Sequence, residues 1–513
     1  KYKYHVILFT FFERKRSSPL WLCFTLVWFV TVTIAPYLLL RTNHWNSNYC
    51  SISVAEDLRT NHWSKAMDHP LTLRLAALCV LCVAALCPVR AEDDDGGRHW
   101  ALLVAGSTSY QNYRHQADIC HAYHIVSKHG IPDERIIVMM YDDIAFNPAN
   151  PFPGNIINQP NGPNVYPGVP KDYTKKELRP DVFLKVLTGD AEGVEKILGR
   201  KGKVIKSGPK DRIFVNFADH GGPGVLVFPT KMLYKNELHS AIEEMHKNQQ
   251  YSQMVFYVEA CESGSMFSNF TALQHLNVFA TTAANPDEPS HGCYSDKTRH
   301  TFLGDVYSVN WMQDADRENL QQESLSDQYQ VVKNETTSSH VMEYGDLSIS
   351  ELPVADFLGS SVSKSLYFTP ERNAPPHPTL DSVPSQDVAQ EILMMKISSS
   401  RGEEQEKHKE ELMNLWQRKK DSEAFFKSVV AEVADASLFD YYVEMPLEFS
   451  EDFSCYRQSV ELTMELCPGM DLTQNDYALR KLRVLANLCE SNIPAQQIWR
   501  AVASVASQAP ICA

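Results

Sequence analysis

Two residues that could do chemistry, a cysteine and a histidine, each stand directly after a short apolar run. Cys261 follows Tyr257-Val-Glu-Ala and opens Cys261-Glu-Ser-Gly-Ser265; His220 follows Asn216-Phe-Ala-Asp and precedes Gly221 and Gly222. A thiol is a weak nucleophile until a base takes its proton, and an imidazole within hydrogen-bond reach can do so. Glycines beside the base let backbone N–H groups approach a developing oxyanion. A single Cys in an apolar run is ordinarily a small core residue, and a single His next to Gly an ordinary loop residue. Their shared position after apolar runs makes a Cys–His hydrolase a candidate.

The runs that would position them are Trp100-Ala-Leu-Leu-Val-Ala105, Ile136-Ile-Val-Met-Met140, Ile213-Phe-Val-Asn-Phe217, Met254-Val-Phe-Tyr-Val258 and Val278-Phe-Ala-Thr-Thr282. Each is continuous rather than alternating, as strands covered on both faces of a parallel sheet are. Helix-like stretches lie between them, at residues 116–129 and 235–247, and residues 147–168 form a long Pro/Asn/Gly-rich loop. The spacing predicts an α/β fold, a parallel-type sheet flanked by helices, with functional residues at the carboxyl ends of the strands. Residues 369–402, beginning Thr369-Pro-Glu-Arg-Asn-Ala-Pro-Pro, read as an exposed linker, and residues 403–513 as an all-helical domain.

Composition narrows the function. The chain has 513 residues, 44% of them hydrophobic, and a net charge of −15. It is globular, and the acidic balance argues against nucleic acid as a partner. No CxxC…CxxC or HExxH spacing occurs, so neither a metal nor a cofactor is expected. Residues 67–91 read as a signal peptide ending at Val89-Arg90-Ala91. The preceding residues 1–66 read as a doubtful upstream segment; the apolar run at 19–40 is long enough for a membrane anchor, which a complete signal peptide behind it would make pointless. An oxidising compartment then lets Cys455, Cys467, Cys489 and Cys512 form two disulfides, with three connectivities open. Sequons at Asn269 and Asn334 fit the same secretory route.

Several motifs in fixed order carry a resemblance. Tyr113-Arg-His-Gln-Ala-Asp118, Asp219-His-Gly221, Glu259-Ala-Cys-Glu-Ser-Gly-Ser265, Ala280-Thr-Thr-Ala-Ala-Asn-Pro286 and Tyr307-Ser-Val-Asn-Trp311 are similar to the legumain family of asparaginyl endopeptidases, from about residue 96 to the C-terminus. The resemblance implies a caspase-like α/β catalytic domain over residues 92–368, a helical inhibitory prodomain, and an acid-activated zymogen with possible ligase activity. It implies Cys261 as nucleophile, His220 as general base and acid, and Asn112 orienting the imidazole. The N–H groups of Gly221 and Cys261 would form the oxyanion hole. Arg114, His115, Glu259, Ser290 and Asp305 would bind substrate, and Asp219 would be a residue able to form a succinimide. It also implies the pairs Cys455–Cys489 and Cys467–Cys512. Expected partners are peptides and proteins cut after Asn, with cystatin-type inhibitors; the mature form is expected to be monomeric and to act in a lysosome, vacuole or digestive lumen, or after secretion.

Three features depart from the family pattern, one of them the length and sequence of residues 269–276 beside the active site. Lys396-Ile-Ser-Ser-Ser-Arg401 stands where relatives have an Asn for self-cleavage, leaving Asn373 and Asn414 as the nearest alternatives, and Thr188-Gly-Asp190 replaces an Arg-Gly-Asp triplet. The mixed charges of residues 403–420 suggest that ion pairs there hold the prodomain over Cys261 and release it in acid. The competing assignments are a lipid-anchor transamidase of the same Cys–His type, and a catalytically inactive binding homologue.

Overall fold

The computed structural model describes residues 97–360, 377–449 and 453–512. The upstream segment, the signal peptide, the apolar run at 19–40 and Asn373 lie outside them. Among the described residues no helix is long and apolar enough to cross a membrane.

The apolar runs become strands: β1 (His99–Ala105), β2 (Ile136–Met140), β3 (Arg212–Ala218), β4 (Gly221–Gly222), β5 (Val225–Phe228), β6 (Lys231–Tyr234), β7 (Gln253–Glu259), β8 (Val278–Thr282), β9 (His291–Asp296), β10 (Thr301–Asp305), β11 (Met342–Gly345) and β12 (Val383–Pro384). The main sheet has the order β11-β8-β7-β3-β1-β2. Its pairings are parallel except at one edge, where β11 runs antiparallel to β8. The smaller sheets are β4-β5-β6 and β10-β9-β12.

The helices are α1 (Tyr113–Lys128), α2 (Pro180–Leu187), α3 (Ala191–Leu198), α4 (Lys235–Lys247), α5 (Val306–Arg317), α6 (Leu325–Glu335), α7 (Ala355–Leu358), α8 (Ser385–Ser399), α9 (Glu403–Val433), α10 (Phe439–Glu444), α11 (Ser454–Leu466), α12 (Asp476–Glu490) and α13 (Ala495–Ala506). Alternate strand residues feed two cores. Leu103, Val138, Phe214 and Val255 pack against α1 and α5, while Leu102, Ile137, Val215 and Phe256 pack on the opposite face with α2 and α4. Both faces are therefore apolar, which explains why the strands read as unbroken runs.

The C-terminal helices form a third core, which includes Val225, Val227, Met232 and Tyr234 of β5 and β6. This helical domain is thus seated on a hairpin of the α/β domain rather than hung from a linker. Disulfides Cys455–Cys489 and Cys467–Cys512 staple it, closing sequence separations of 34 and 45 residues. Such loops are worth about 4 kcal/mol each on the chain-entropy account. Cys120, Cys261 and Cys293 are free and buried.

Two sequence expectations meet a different structure. Within residues 369–402, the part from Val383 onward is not linker: Val383 and Pro384 pair with β9, and Ser385 starts a helix. Pro384 at the N-cap and Asp387 in the first turn are the local reasons for that start. Asn414, a candidate for cleavage in an exposed stretch, lies inside the 31-residue α9. Asp190 of the Thr-Gly-Asp triplet caps α3, accepting from the Gly193 amide at 2.7 Å. Asn269, on a loop after β7, and Asn334, near the end of α6, are both exposed.

Candidate active site

The carboxyl ends of β1, β3 and β7 lie side by side in parallel register, with Ala105 opposite Ala218 and Ala218 opposite Glu259. That register brings the turn after β1, Asp219-His220 and Glu259-Ala-Cys261 to one edge, although more than a hundred residues separate the first from the second. Gly221 is needed there for closeness, because a Cβ would stand 2.3 Å from the Cys261 carbonyl oxygen.

Asn112 fixes the imidazole. Its Nδ2 donates to the Thr108 carbonyl at 3.0 Å, so its Oδ1 faces His220 and accepts from Nε2–H at 3.0 Å. Nδ1 is then the nitrogen left for acid–base work. In this structure Nδ1 lies 3.0 Å from Oδ1 of Asp476, the first residue of α12. Burial opposes protonation of His220, but the Asp476 carboxylate, with Asp219 behind it, outweighs burial and raises its pKa. Cys261 Sγ has Ser290 Oγ as its polar neighbour at 4.0 Å, and no hydrogen bond joins it to His220. Burial, then Glu262 and Asp476, push the Cys261 thiol up, so it stays protonated. The candidate thiol and imidazole thus share one sheet edge, the thiol protonated and His220 Nδ1 occupied by Asp476.

The remaining pocket residues form one buried network. Arg114 Nε donates to Asp305 Oδ1 at 2.8 Å with both side chains 1% exposed. Glu259 Oε2 accepts from the Ser308 amide and hydroxyl at 2.9 and 3.0 Å. Asp305 Oδ2 and Glu259 Oε1 have no hydrogen-bond partner. Burial and then Asp305 raise Glu259 to about 8, and burial raises Asp219 to about 8. His115 donates to or accepts from Ser107 Oγ at 2.8 Å, and burial and Arg114 keep it neutral. His115, Asp219 and His220 are the one trio among the described residues whose ligand atoms could surround an ion, within 4.8 Å of one another. All three are buried, and the imidazoles are engaged by Ser107, Asn112 and Asp476.

Residues that sequence reasoning did not single out complete the site. The Ser385 amide donates to the Ser290 carbonyl at 2.9 Å, and Arg114 Nη2 donates to Ser385 Oγ at 2.7 Å. Residues 383–385 are therefore added as a strand beside β9, with a hydroxyl on the pocket arginine, much as an extended peptide adds to a sheet edge. From α12, Leu479 packs on Gly222, Arg480 Nε donates to Glu262 Oε1 at 2.5 Å, and Arg483 Nη2 to Asp287 Oδ1 at 2.5 Å. These pairs correct the expectation that residues 403–420 supply the contacts: Lys409 pairs within α9, and Lys419 reaches Asp387 of α8 rather than the α/β domain.

The sequence pattern of the Peptidase C13 family matches residues 99–360. This chain belongs to that family. The pattern of the legumain prodomain matches residues 409–506. Human legumain is 46% identical over 79% of the chain and 92% of its own length. Mouse legumain is 45% identical over 85% and 99%, and the vacuolar-processing enzyme of Vicia sativa 38% over 82% and 88%. Among solved structures, caspase-1 of Spodoptera frugiperda matches 52% of the chain and 92% of its own at 11% identity and a TM-score of 0.31. The chain is a cysteine endopeptidase carrying a legumain-type prodomain, and the helices α9–α13 that cover His220 are that prodomain.

If Asp476 is what raises His220, Asp476→Asn in a Cys261→Ala zymogen should lower the pH at which this imidazole titrates, read by NMR of labelled histidine. An unchanged midpoint would show that Asp476 does not act on His220.

Proposed function

We propose that this chain is an acid-activated endopeptidase that cuts after Asn. The observation that carries this is the pocket's mixed polarity: one buried guanidinium whose Nη2 is taken by Ser385, near two carboxyl oxygens without a close hydrogen bond, Asp305 Oδ2, with His115 Nε2 at 3.7 Å, and Glu259 Oε1. An Asn side chain offers one acceptor and two donors, which matches that set. With Ser385 displaced, Arg114 would donate to the amide oxygen while Asp305 and Glu259 accept from the NH2. A pocket built this way rejects apolar side chains, since they would leave the buried charges unpaired. Asp accepted as its neutral acid in low pH would present a similar pattern. Ser290 and His115 line the same pocket, and an inhibitor segment of cystatin type would take the strand position that residues 383–385 occupy.

In the reaction, His220 Nδ1 takes the Cys261 proton as sulfur attacks the scissile carbonyl, and returns it to the leaving amine. N–H groups of Gly221 and Cys261 would receive the oxyanion. Water then releases the acyl group, whereas an incoming amine in its place gives ligation. The buried Asp219 favours its neutral acid, the form whose carbonyl carbon the His220 amide nitrogen would attack to close a succinimide with loss of one water.

Acid would act through Glu262. Burial raises its docked pKa to about 7, while Arg480 and Arg483 pull it down and Asp287 pushes it up. Provided Glu262 keeps its burial beside Cys261 when the prodomain leaves, removal of both arginines makes the docked pKa the lower one. Glu262 therefore stabilises docking above the undocked pKa, and that contribution is lost as pH falls through about 7. His220 has the opposite sign: its docked pKa is raised, so its contact with Asp476 is fully present in acid and lost as pH rises through the docked value. Opening occurs where the loss at Glu262 outweighs the gain at His220, below neutrality. A lysosomal or vacuolar compartment supplies that acidity.

After acid activation, an Ala-Ala-Asn reporter should be hydrolysed at least about a hundredfold faster than Ala-Ala-Ala, and Cys261→Ala should abolish turnover; equal rates on both reporters would end the Asn assignment. A peptide containing Asp219-His220 one water lighter would mark the succinimide, and its absence from ligation-competent enzyme would exclude that role. Glu262→Gln should expose Cys261 to an alkylating reagent at neutral pH, where the parent zymogen resists; equal resistance would remove Glu262 from the switch.

A further inference from the structure

The hairpin of α8 and α9 has one break. Ser385–Ser399 and Glu403–Val433 are helical, and Ser400, Arg401 and Gly402 join them. Ser400 is held, its amide and hydroxyl donating to the Lys396 carbonyl at 3.0 and 2.7 Å. The next two residues are exposed. Gly402 has φ 62, a left-handed conformation that favours glycine, and a Cβ there would meet nothing within 4 Å. The Arg401 side chain makes no hydrogen bond or ion pair among the described residues.

Peptidases take their substrates extended, so a bond inside a helix is presented only after the helix unravels. The joint needs little unravelling, yet it holds nothing that an Asn-directed site would accept. No Asn or Asp lies between Asp387 and Asn414. Asp387 is in the first turn of α8 with its carboxylate on Lys419 Nζ at 2.9 Å, and Asn414 is inside α9. The residue that is presented is a free arginine.

We propose that Arg401–Gly402 is a processing site cut in trans by a second peptidase whose pocket accepts arginine, a carboxylate-lined one of trypsin-like specificity. This rests on the reading that the chain itself cuts after Asn. Water adds across the bond: the Arg401 carbonyl carbon becomes a carboxylate, the Gly402 nitrogen becomes a new amino terminus, and no other reactant is needed. The position of the cut gives it its consequence. Asp476, Leu479, Arg480 and Arg483, which cover His220, Gly222, Glu262 and Asp287, all lie on the C-terminal side. Ser385, on Arg114, lies on the N-terminal side. While the joint is intact, docking of α9–α13 is intramolecular and any release is quickly reversed. Once it is cut, the prodomain is held only by its own contacts, and acid weakening turns opening into departure. Processing and acid are then successive keys, and the residues 383–385 are left for substrate to displace.

The test uses trypsin as the probe on full-length zymogen at neutral pH, in wild-type and Cys261→Ala forms, followed by amino-terminal sequencing and intact mass. The expected earliest product in both begins at Gly402, and Arg401→Gln slows that cut by about tenfold or more. After transfer to acid, cut wild-type zymogen should turn over the Asn reporter about tenfold faster than uncut zymogen or Arg401→Gln treated alike. An earliest cut after Lys396 or within residues 418–420 would overturn the proposal. So would full activation by acid alone through self-cleavage after Asn373, an outcome in which the Asn reading stands. Cleavage at Arg401 that yields no Asn-reporter activity in either form would instead sink the Asn reading and leave the processing site.

Discussion

Five carboxylates, those of Asp118, Asp219, Glu259, Glu262 and Asp305, are buried around one end of the sheet, and almost everything else in the site follows from how they are tolerated. Burial drives carboxyl groups toward their neutral acids, and Asp118, Asp219, Glu259 and Glu262 are all raised. Arg114, from α1, is the permanent countercharge, bound to Asp305. The second countercharge, Arg480, comes from the prodomain and binds Glu262. A buried charge left without its partner is costly, so the α/β domain gains from keeping the prodomain while its carboxyls are ionised and gains less once they are protonated. The same arrangement leaves a polar pocket near Cys261 and a prodomain held over it by charge.

The lid works at three places at once. Residues 383–385 extend the sheet beside β9, Asp476 holds Nδ1 of His220, and Arg480 neutralises the carboxylate next to Cys261. A neutral hydrogen bond and apolar contact accompany the charges: Tyr456 donates to the Pro223 carbonyl at 2.7 Å, and Phe449 and Phe453 crowd Gly224. Losing one ion pair therefore loosens docking without abolishing it, and under the proposed acid switch the opposing responses of Glu262 and His220 would set where opening falls.

Much of the fold was legible because burial on both faces writes strands as unbroken apolar runs, and five such runs became β1, β2, β3, β7 and β8. The edge strand β11, Met-Glu-Tyr-Gly, is short and half-exposed and leaves no such mark. Cys261 and His220 were legible from their place after strands; Asn112 and the pocket residues needed the family resemblance, since nothing in the spacing ties residue 112 to residue 220. Asp476 and Arg480 were illegible because polar residues on an amphipathic helix look like a solvated face until another domain is seen against it. The α8 start at Ser385 did carry a local signal, Pro384 before it and Asp387 after, which the Pro-rich stretch upstream obscured.

Charge clamps α12 over His220 and Glu262 at neutral pH, and acid is proposed to free it. Hydrogen exchange of the α12 amides in the Cys261→Ala zymogen, corrected for intrinsic rates, reads that clamp directly. Protection should be high at about pH 7.5, drop by about tenfold or more at about pH 4.5, and be lowered already at neutral pH in Arg480→Gln. Protection that is equal at both pH values, and unchanged by Arg480→Gln, would contradict the account.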